Sequence, residues 1–139
     1  MIAYFDTSAF VPLLVDEPGS PFATAMWDTA DRVVSVRLLY AEARAALALA
    51  VRTGRLTQAQ GRKAVTSLDR CYEQMDLVEI DDEVVRLAGQ LAERHGLRGY
   101  DAVHLAAAHH IGGDEVVVVA GDRALLTAAH DSGLSTAAV

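Results

Sequence analysis

Cysteine is nearly absent. Cys71 is the only one in 139 residues, so no intrachain disulfide can form and a thiolate metal site is excluded. Lysine is equally scarce, with Lys63 alone among cations that are otherwise all arginine. No basic stretch precedes the N-terminal apolar residues, Asp6 interrupts that run early, and nothing reaches the length of a membrane span. These gaps lead us to expect a soluble cytoplasmic protein with no membrane partner. Positive charge is also in deficit: 12 Lys and Arg stand against 19 Asp and Glu, a formal net charge of −7. Proteins that hold nucleic acid by general attraction to its backbone are usually basic. A nucleic-acid partner therefore requires that bound cations neutralise some of the acids.

What is present is a globular composition, 52% hydrophobic and 22% charged, with a mean hydropathy of +0.20. The length suits one domain over residues 1–139 with a real core. Ile2-Ala3-Tyr4-Phe5 reads as a first strand buried on both faces, stopped by Asp6. Ser8–Leu14 reads as a short helix, and Ser20-Pro21 as an N-cap with proline in the first turn of the next. Arg32–Ser35 is a second strand, and Leu38–Thr53 a helix closed by Gly54. Thr57 and Gln60 form a capping box that opens a helix to about Met75. Leu77–Ile80 is a third strand, and Asp81 caps a helix stopped by Gly96. The helix Gly99–Ile111, the strand Glu115–Ala120, the helix Asp122–Asp131 and a last strand over Leu134–Val139 complete the chain. Strands alternating with helices predict a three-layer α/β/α sandwich around a mainly parallel sheet.

That topology directs four acids to one edge. In right-handed crossovers each connecting helix starts at the C-terminal edge of the strands. Asp6 ends the first strand there, and Asp122 follows the VVVV strand. Asp101 lies in the first turn of its helix, and Glu42 is within reach from early in its own. Clustered carboxylates repel, and a hard divalent cation relieves that repulsion. An all-oxygen set suits Mg²⁺, with Mn²⁺ as a substitute, better than zinc. The usual chemistry of such a site is phosphodiester hydrolysis by metal-activated water.

The segments DTSAF around Asp6, LLYAEARAAL around Glu42, LRGYDAVHLAAA around Asp101 and VVVVAGDRALLTAA around Asp122 together resemble the four acidic motifs of PIN-domain nucleases. They are most similar to the VapC-type toxins of type II toxin–antitoxin pairs, and the resemblance spans essentially the whole chain. It implies a PIN-like fold and a Mg²⁺-dependent endoribonuclease that blocks translation by cutting RNA. It also implies a homodimer and a cognate VapB-type antitoxin. Asp6, Glu42, Asp101 and Asp122 are the implied catalytic and metal-binding residues, with Ser8 as a polar neighbour. The chain departs from the pattern at Ala120, where many relatives carry Thr or Ser; a hydroxyl that would orient Asp122 or a bound water is missing.

Taken singly, Asp6, Asp101 and Asp122 read as helix caps or first-turn acids, and Glu42 as part of a solvated face. Arg98 and Arg123 flank the acids closely enough to meet RNA phosphate or to form surface ion pairs. His104, one turn beyond Asp101, is placed where it could face the site, but it reads first as a packed or solvent-facing residue. Two other functions use the same fold logic. A phosphoacceptor receiver needs paired acids after the first strand and a lysine after the last core strand, and neither is present. A non-catalytic PIN-like binding module would not need all four acids.

Overall fold

The computed structural model describes residues 1–139. In chain order the elements are β1 (Ile2–Phe5), α1 (Thr7–Leu14), α2 (Ser20–Thr29), β2 (Arg32–Val36), α3 (Leu38–Arg52) and α4 (Gln58–Gln74), followed by β3 (Asp76–Val78), α5 (Asp82–His95), α6 (Gly99–Ile111), β4 (Val116–Ala120), α7 (Arg123–Asp131) and β5 (Ser135–Ala138). The strands form one sheet in the order β3-β2-β1-β4-β5, and every pairing is parallel. No helix is long and apolar enough to cross a membrane.

Side-chain alternation along β1 divides the core in two. Ala3 and Phe5 pack with Phe10, Leu39, Leu47 and Leu68, the layer built by α1, α3 and α4. Tyr4 faces the other way, among Val84, Leu91, Leu105 and Leu125 of α5, α6 and α7. Both faces of the sheet are therefore covered, which is why β1 and β4 are continuous apolar runs. Each large side chain fully removed from water contributes roughly 1.5–3 kcal/mol, and Tyr4, Phe5, Phe10, Leu39, Leu68, Leu105 and Leu125 are all fully buried. The expected three-layer sandwich is what forms.

The strand order reverses between β1 and β4. From β1 the chain winds outward through β2 to β3, then returns to place β4 and β5 on the opposite side. A crevice opens at such a switch point, outside the strands' C-terminal ends. The backbone N–H of Asp6 donates to the Val119 carbonyl at 3.0 Å, which locks the end of β1 beside the end of β4.

Two local expectations shift. Gly19, not Ser20, is the cap of α2; the Ser20 hydroxyl instead accepts from Glu17 N–H at 2.9 Å and donates to the Val15 carbonyl at 3.0 Å. The proline-containing turn needs that hydroxyl to close its own backbone groups. The third strand is Asp76–Val78 rather than Leu77–Ile80, because pairing with β2 runs only from Asp76 to Val78. Beyond it the chain must turn for the Asp81 carboxylate to accept from Val84 N–H at 2.9 Å and cap α5. Gly96 ends that helix in the left-handed region at φ 64°, as glycine commonly does.

Candidate active site

Asp6 and Asp122 both cap helices, yet capping uses one oxygen of each. Asp6 Oδ2 accepts from Ser8 N–H at 3.0 Å and from the Ser8 hydroxyl. Its Oδ1 lies 3.5 Å from His104 Nδ1. Asp122 Oδ1 accepts from Leu125 N–H at 2.9 Å, while its Oδ2 lies 3.8 Å from Arg98 Nη2. The capping and functional readings of these residues are therefore compatible. Asp6 is buried at 5% exposure and Asp101 at 9%, depths at which an aspartate needs partners.

Ser8 joins the two strand ends. Its hydroxyl donates to Asp6 and accepts from Gly121 N–H at 2.8 Å, so the turn after β4 is tied to the start of α1. A Cβ at Gly121 would come within 3.4 Å of the Ser8 carbonyl oxygen, and glycine lets the two backbones approach this closely. Ala120, where a hydroxyl was missing, is fully buried among the α5–α7 core residues. Hydroxyls at this edge come instead from Thr7 and Ser8 on α1.

Beneath the acids lies a network that sequence reading missed. His104 is 1% exposed. Its Nε2 is 2.6 Å from Glu42 Oε1 and its Nδ1 is 2.9 Å from the Tyr4 hydroxyl. Thr7 Oγ1 donates to the same Glu42 oxygen at 2.9 Å. His104 is thus packed, as expected, but packed against the site. Burial is the largest single influence on its pKa and pulls it down. The hydrogen bond to Glu42, then the charges of Asp6, Glu42 and Asp101, outweigh burial and raise it above the ordinary histidine value. Burial, followed by the charge of Asp6, pushes the Tyr4 hydroxyl well above its usual range, so it stays protonated. Two periodicities carried the available signal. Alternation along β1 puts Tyr4 on the same face as Asp6, and one turn of α6 puts His104 beneath Asp101.

Arg98 and Arg123 separate clearly. Arg98 Nε donates to Asp101 Oδ2 at 2.8 Å, and its guanidinium carbon lies 5.2 Å from the Tyr100 ring centroid. The hydrogen bond to Asp101, then its charge, raises the Arg98 pKa further, so the guanidinium is permanently charged. Arg123 instead lines a groove of about 530 Å³ with His95, Thr127 and Asp131 and pairs with none of the four acids. Lys63 sits within α4, away from the position after β4 that a receiver would require.

As they stand, no three of the Asp, Glu, His and Cys side chains surround one point as a metal ion requires. Their near oxygens are occupied: Asp6 by Ser8, Glu42 by Thr7 and His104, Asp101 by Arg98. The donor chemistry nevertheless suits a hard cation, since Asp6, Glu42, Asp101 and Asp122 offer carboxylate oxygens and no thiolate. A cationic group already stands there in the guanidinium of Arg98, between Asp101 and Asp122. The residues fit a divalent cation on both counts.

A family model described as PIN domain matches residues 3–130. Ribonuclease VapC45 of Mycobacterium tuberculosis (strain CDC 1551 / Oshkosh) is 45% identical over 136 residues, covering 98% of this chain and 94% of its own length. Among solved structures, M. tuberculosis VapC20, a toxin that cleaves the sarcin-ricin loop, superposes with a TM-score of 0.69 at 17% identity, covering 95% of each chain. VapBC2 from Rickettsia felis, bound to a DNA fragment from its promoter, gives 0.66 at 12% identity, covering 100% of this chain and 99% of that one. At those identities the structures speak for the fold.

Proposed function

The chain belongs to the PIN-domain family, among the VapC ribonucleases, and from that premise we propose that it is a Mg²⁺-dependent endoribonuclease, the toxin of a type II toxin–antitoxin pair. The reading treats residues 1–139 as one catalytic domain in the cytoplasm, working as a homodimer and restrained by a cognate VapB-type antitoxin. Cutting RNA would inhibit translation. What supports it is that His104 lies against both Asp6 and Glu42 while Arg98 lies against both Asp101 and Asp122, beside the paired strands β1 and β4, with capping using only one oxygen of Asp6 and of Asp122.

Asp6, Glu42, Asp101 and Asp122 are the residues that would hold the ion. Bound Mg²⁺, or Mn²⁺ in its place, supplies charge to offset the phosphodiester and lowers the pKa of a coordinated water. The chain's own residues set the geometry. Ser8 fixes Asp6, while Thr7 and His104 both hold Glu42 Oε1. Both of those bonds fall on Oε1, so Oε2 is the oxygen that would accept a proton from the attacking water. The exposed Arg98 guanidinium is placed to meet an incoming phosphate. Hydrolysis would form the bond from the water oxygen to phosphorus and break the bond from phosphorus to one ribose oxygen, with the water's proton passing to Glu42 and the departing oxygen taking a proton from solvent.

The test is cleavage of RNA with Mg²⁺ or Mn²⁺ present, then with chelator. We expect Asp6→Asn and Asp101→Asn each to lower the rate at least about a hundredfold, the scale on which positioned acid–base groups act, with melting temperatures retained. Full cleavage by both variants would refute the assignment. Metal removal should abolish wild-type cleavage, and restoring Mn²⁺ should recover it.

A further inference from the structure

Arg98 holds an unusual position for a residue at a site that binds a cation. Its Nε donates to Asp101 Oδ2 at 2.8 Å, and Nη2 lies 3.8 Å from Asp122 Oδ2. It therefore bridges two of the four acids, one arriving on α6 and the other following β4. Two nearby carboxylates without a counter-charge raise each other's energy, and protonating one of them is the usual relief. A guanidinium removes the need, because it is always charged and its planar fork reaches two oxygens together. The local backbone allows this: Arg98 is the N-cap position of α6, three residues before Asp101, and its donor-only guanidinium, unable to cap the helix, folds back onto that carboxylate.

The attachment is also releasable. The Arg98 side chain is 65% exposed, and exposed ion pairs are worth little. Tyr100, beneath the guanidinium, offers a resting face by cation–π attraction, independent of either carboxylate.

We propose that Arg98 is a built-in counter-cation of the acid site, holding Asp101 and Asp122 until a divalent ion displaces its guanidinium, so that metal binding is a competition with this side chain. The inference rests on the reading that these acids hold a divalent ion. It adds that the chain carries its own competitor, which offsets part of the negative charge of the metal-free site and sets the ion concentration at which it loads. The apparent affinity is the intrinsic affinity scaled by the fraction of molecules in which Arg98 has let go.

The experiment is calorimetric titration of the full chain with MnCl₂, comparing wild type with Arg98→Ala, Arg98→Lys and Arg123→Ala, alongside melting curves in chelator and in saturating Mn²⁺. Arg98→Ala should bind Mn²⁺ about two- to fivefold more tightly, the size expected for releasing a largely exposed pair. Arg98→Lys should fall between, keeping the charge but losing the fork. Arg123→Ala removes the same charge one residue from Asp122 without touching an acid, and should change the affinity much less. In chelator Arg98→Ala should melt below wild type, with the gap narrowing in saturating Mn²⁺. Equal or weaker Mn²⁺ binding by Arg98→Ala overturns the proposal, as does an equal gain in Arg123→Ala. If wild type and every variant bind no Mn²⁺, the metal reading of the acids fails and this inference falls with it.

Discussion

At the scale of single residues, Asp122 shows how a cap and a ligand can share one side chain. Asparagine caps helices as well as aspartate does, so Asp122→Asn should keep the melting temperature and lose cleavage. Asp122→Ala should lose both, with an additional cost of about 1 kcal/mol from the orphaned Leu125 N–H. Chemical denaturation measured beside RNA cleavage separates the two contributions, and equal stability of both variants would contradict the capping role. His104 makes a second case. Tyr4→Phe removes the hydroxyl that faces Nδ1 at 2.9 Å and should cost about 1–3 kcal/mol, the penalty of an unpaired buried polar group. The raised His104 pKa also fixes a sign. Its folded value lies above the unfolded one, near 6.5, so the stabilisation is complete below that pH and disappears as pH rises through the folded value. In chelator, the stability advantage of wild type over His104→Gln should therefore shrink from about pH 6.5 upward; an advantage that grows with pH would contradict it.

At the scale of elements, α6 is covered on several sides. Ala102, Ala106, Ala107 and Ala108 are all fully buried, so small side chains meet their neighbours on successive faces of this helix. Ala107→Leu should overpack that contact and cost about 1–3 kcal/mol, read as a lower denaturation midpoint. Elements of this kind were legible in sequence. The apolar runs of β1 and β4 and the alanine-rich α6 state their burial directly, and the Thr57–Gln60 box forms as read, with Gln60 N–H to Thr57 Oγ1 at 3.1 Å. The third strand was harder, because an edge strand has one partner and its register is set by β2 rather than by its own residues. Asp6, Asp101 and Asp122 could be read because each stands at the start of a helix, whereas Glu42 lies inside α3 and was legible only from its reach and its surrounding motif. The Tyr4–His104–Glu42 network could not, since it depends on α6 and α3 meeting β1 from opposite layers, and a sequence states no such meeting. Arg123 shows the limit from the other side: adjacency to Asp122 in the chain does not bring its side chain to the site.

At the scale of the whole molecule, charge is unevenly spread. Residues 38–74, which contain α3 and α4, hold six of the 12 basic residues and only three of the 19 acids. Arg44, Arg52 and Arg62 line a groove of about 680 Å³ between these helices that contains no acid. An acidic protein thus keeps one basic flank, which addresses the objection raised by its net charge. If the proposed function holds, RNA binding by the Asp6→Asn protein, used to prevent cleavage, should weaken steeply with salt. Replacing the three groove arginines with alanine should reduce the log–log salt slope by roughly two, measured by fluorescence anisotropy; an unchanged slope would move the contact elsewhere.

The pairing of β1 with β4, which joins Ile2–Phe5 to Val116–Val119, has a consequence in time. During synthesis, Asp6 is made more than a hundred residues before Asp122, and the strands that precede them cannot pair until both have left the ribosome. Contacts this distant along a chain also form slowly. A protein that attacks the cell's RNA would on this account stay harmless while nascent, its activity withheld by the order of its own assembly.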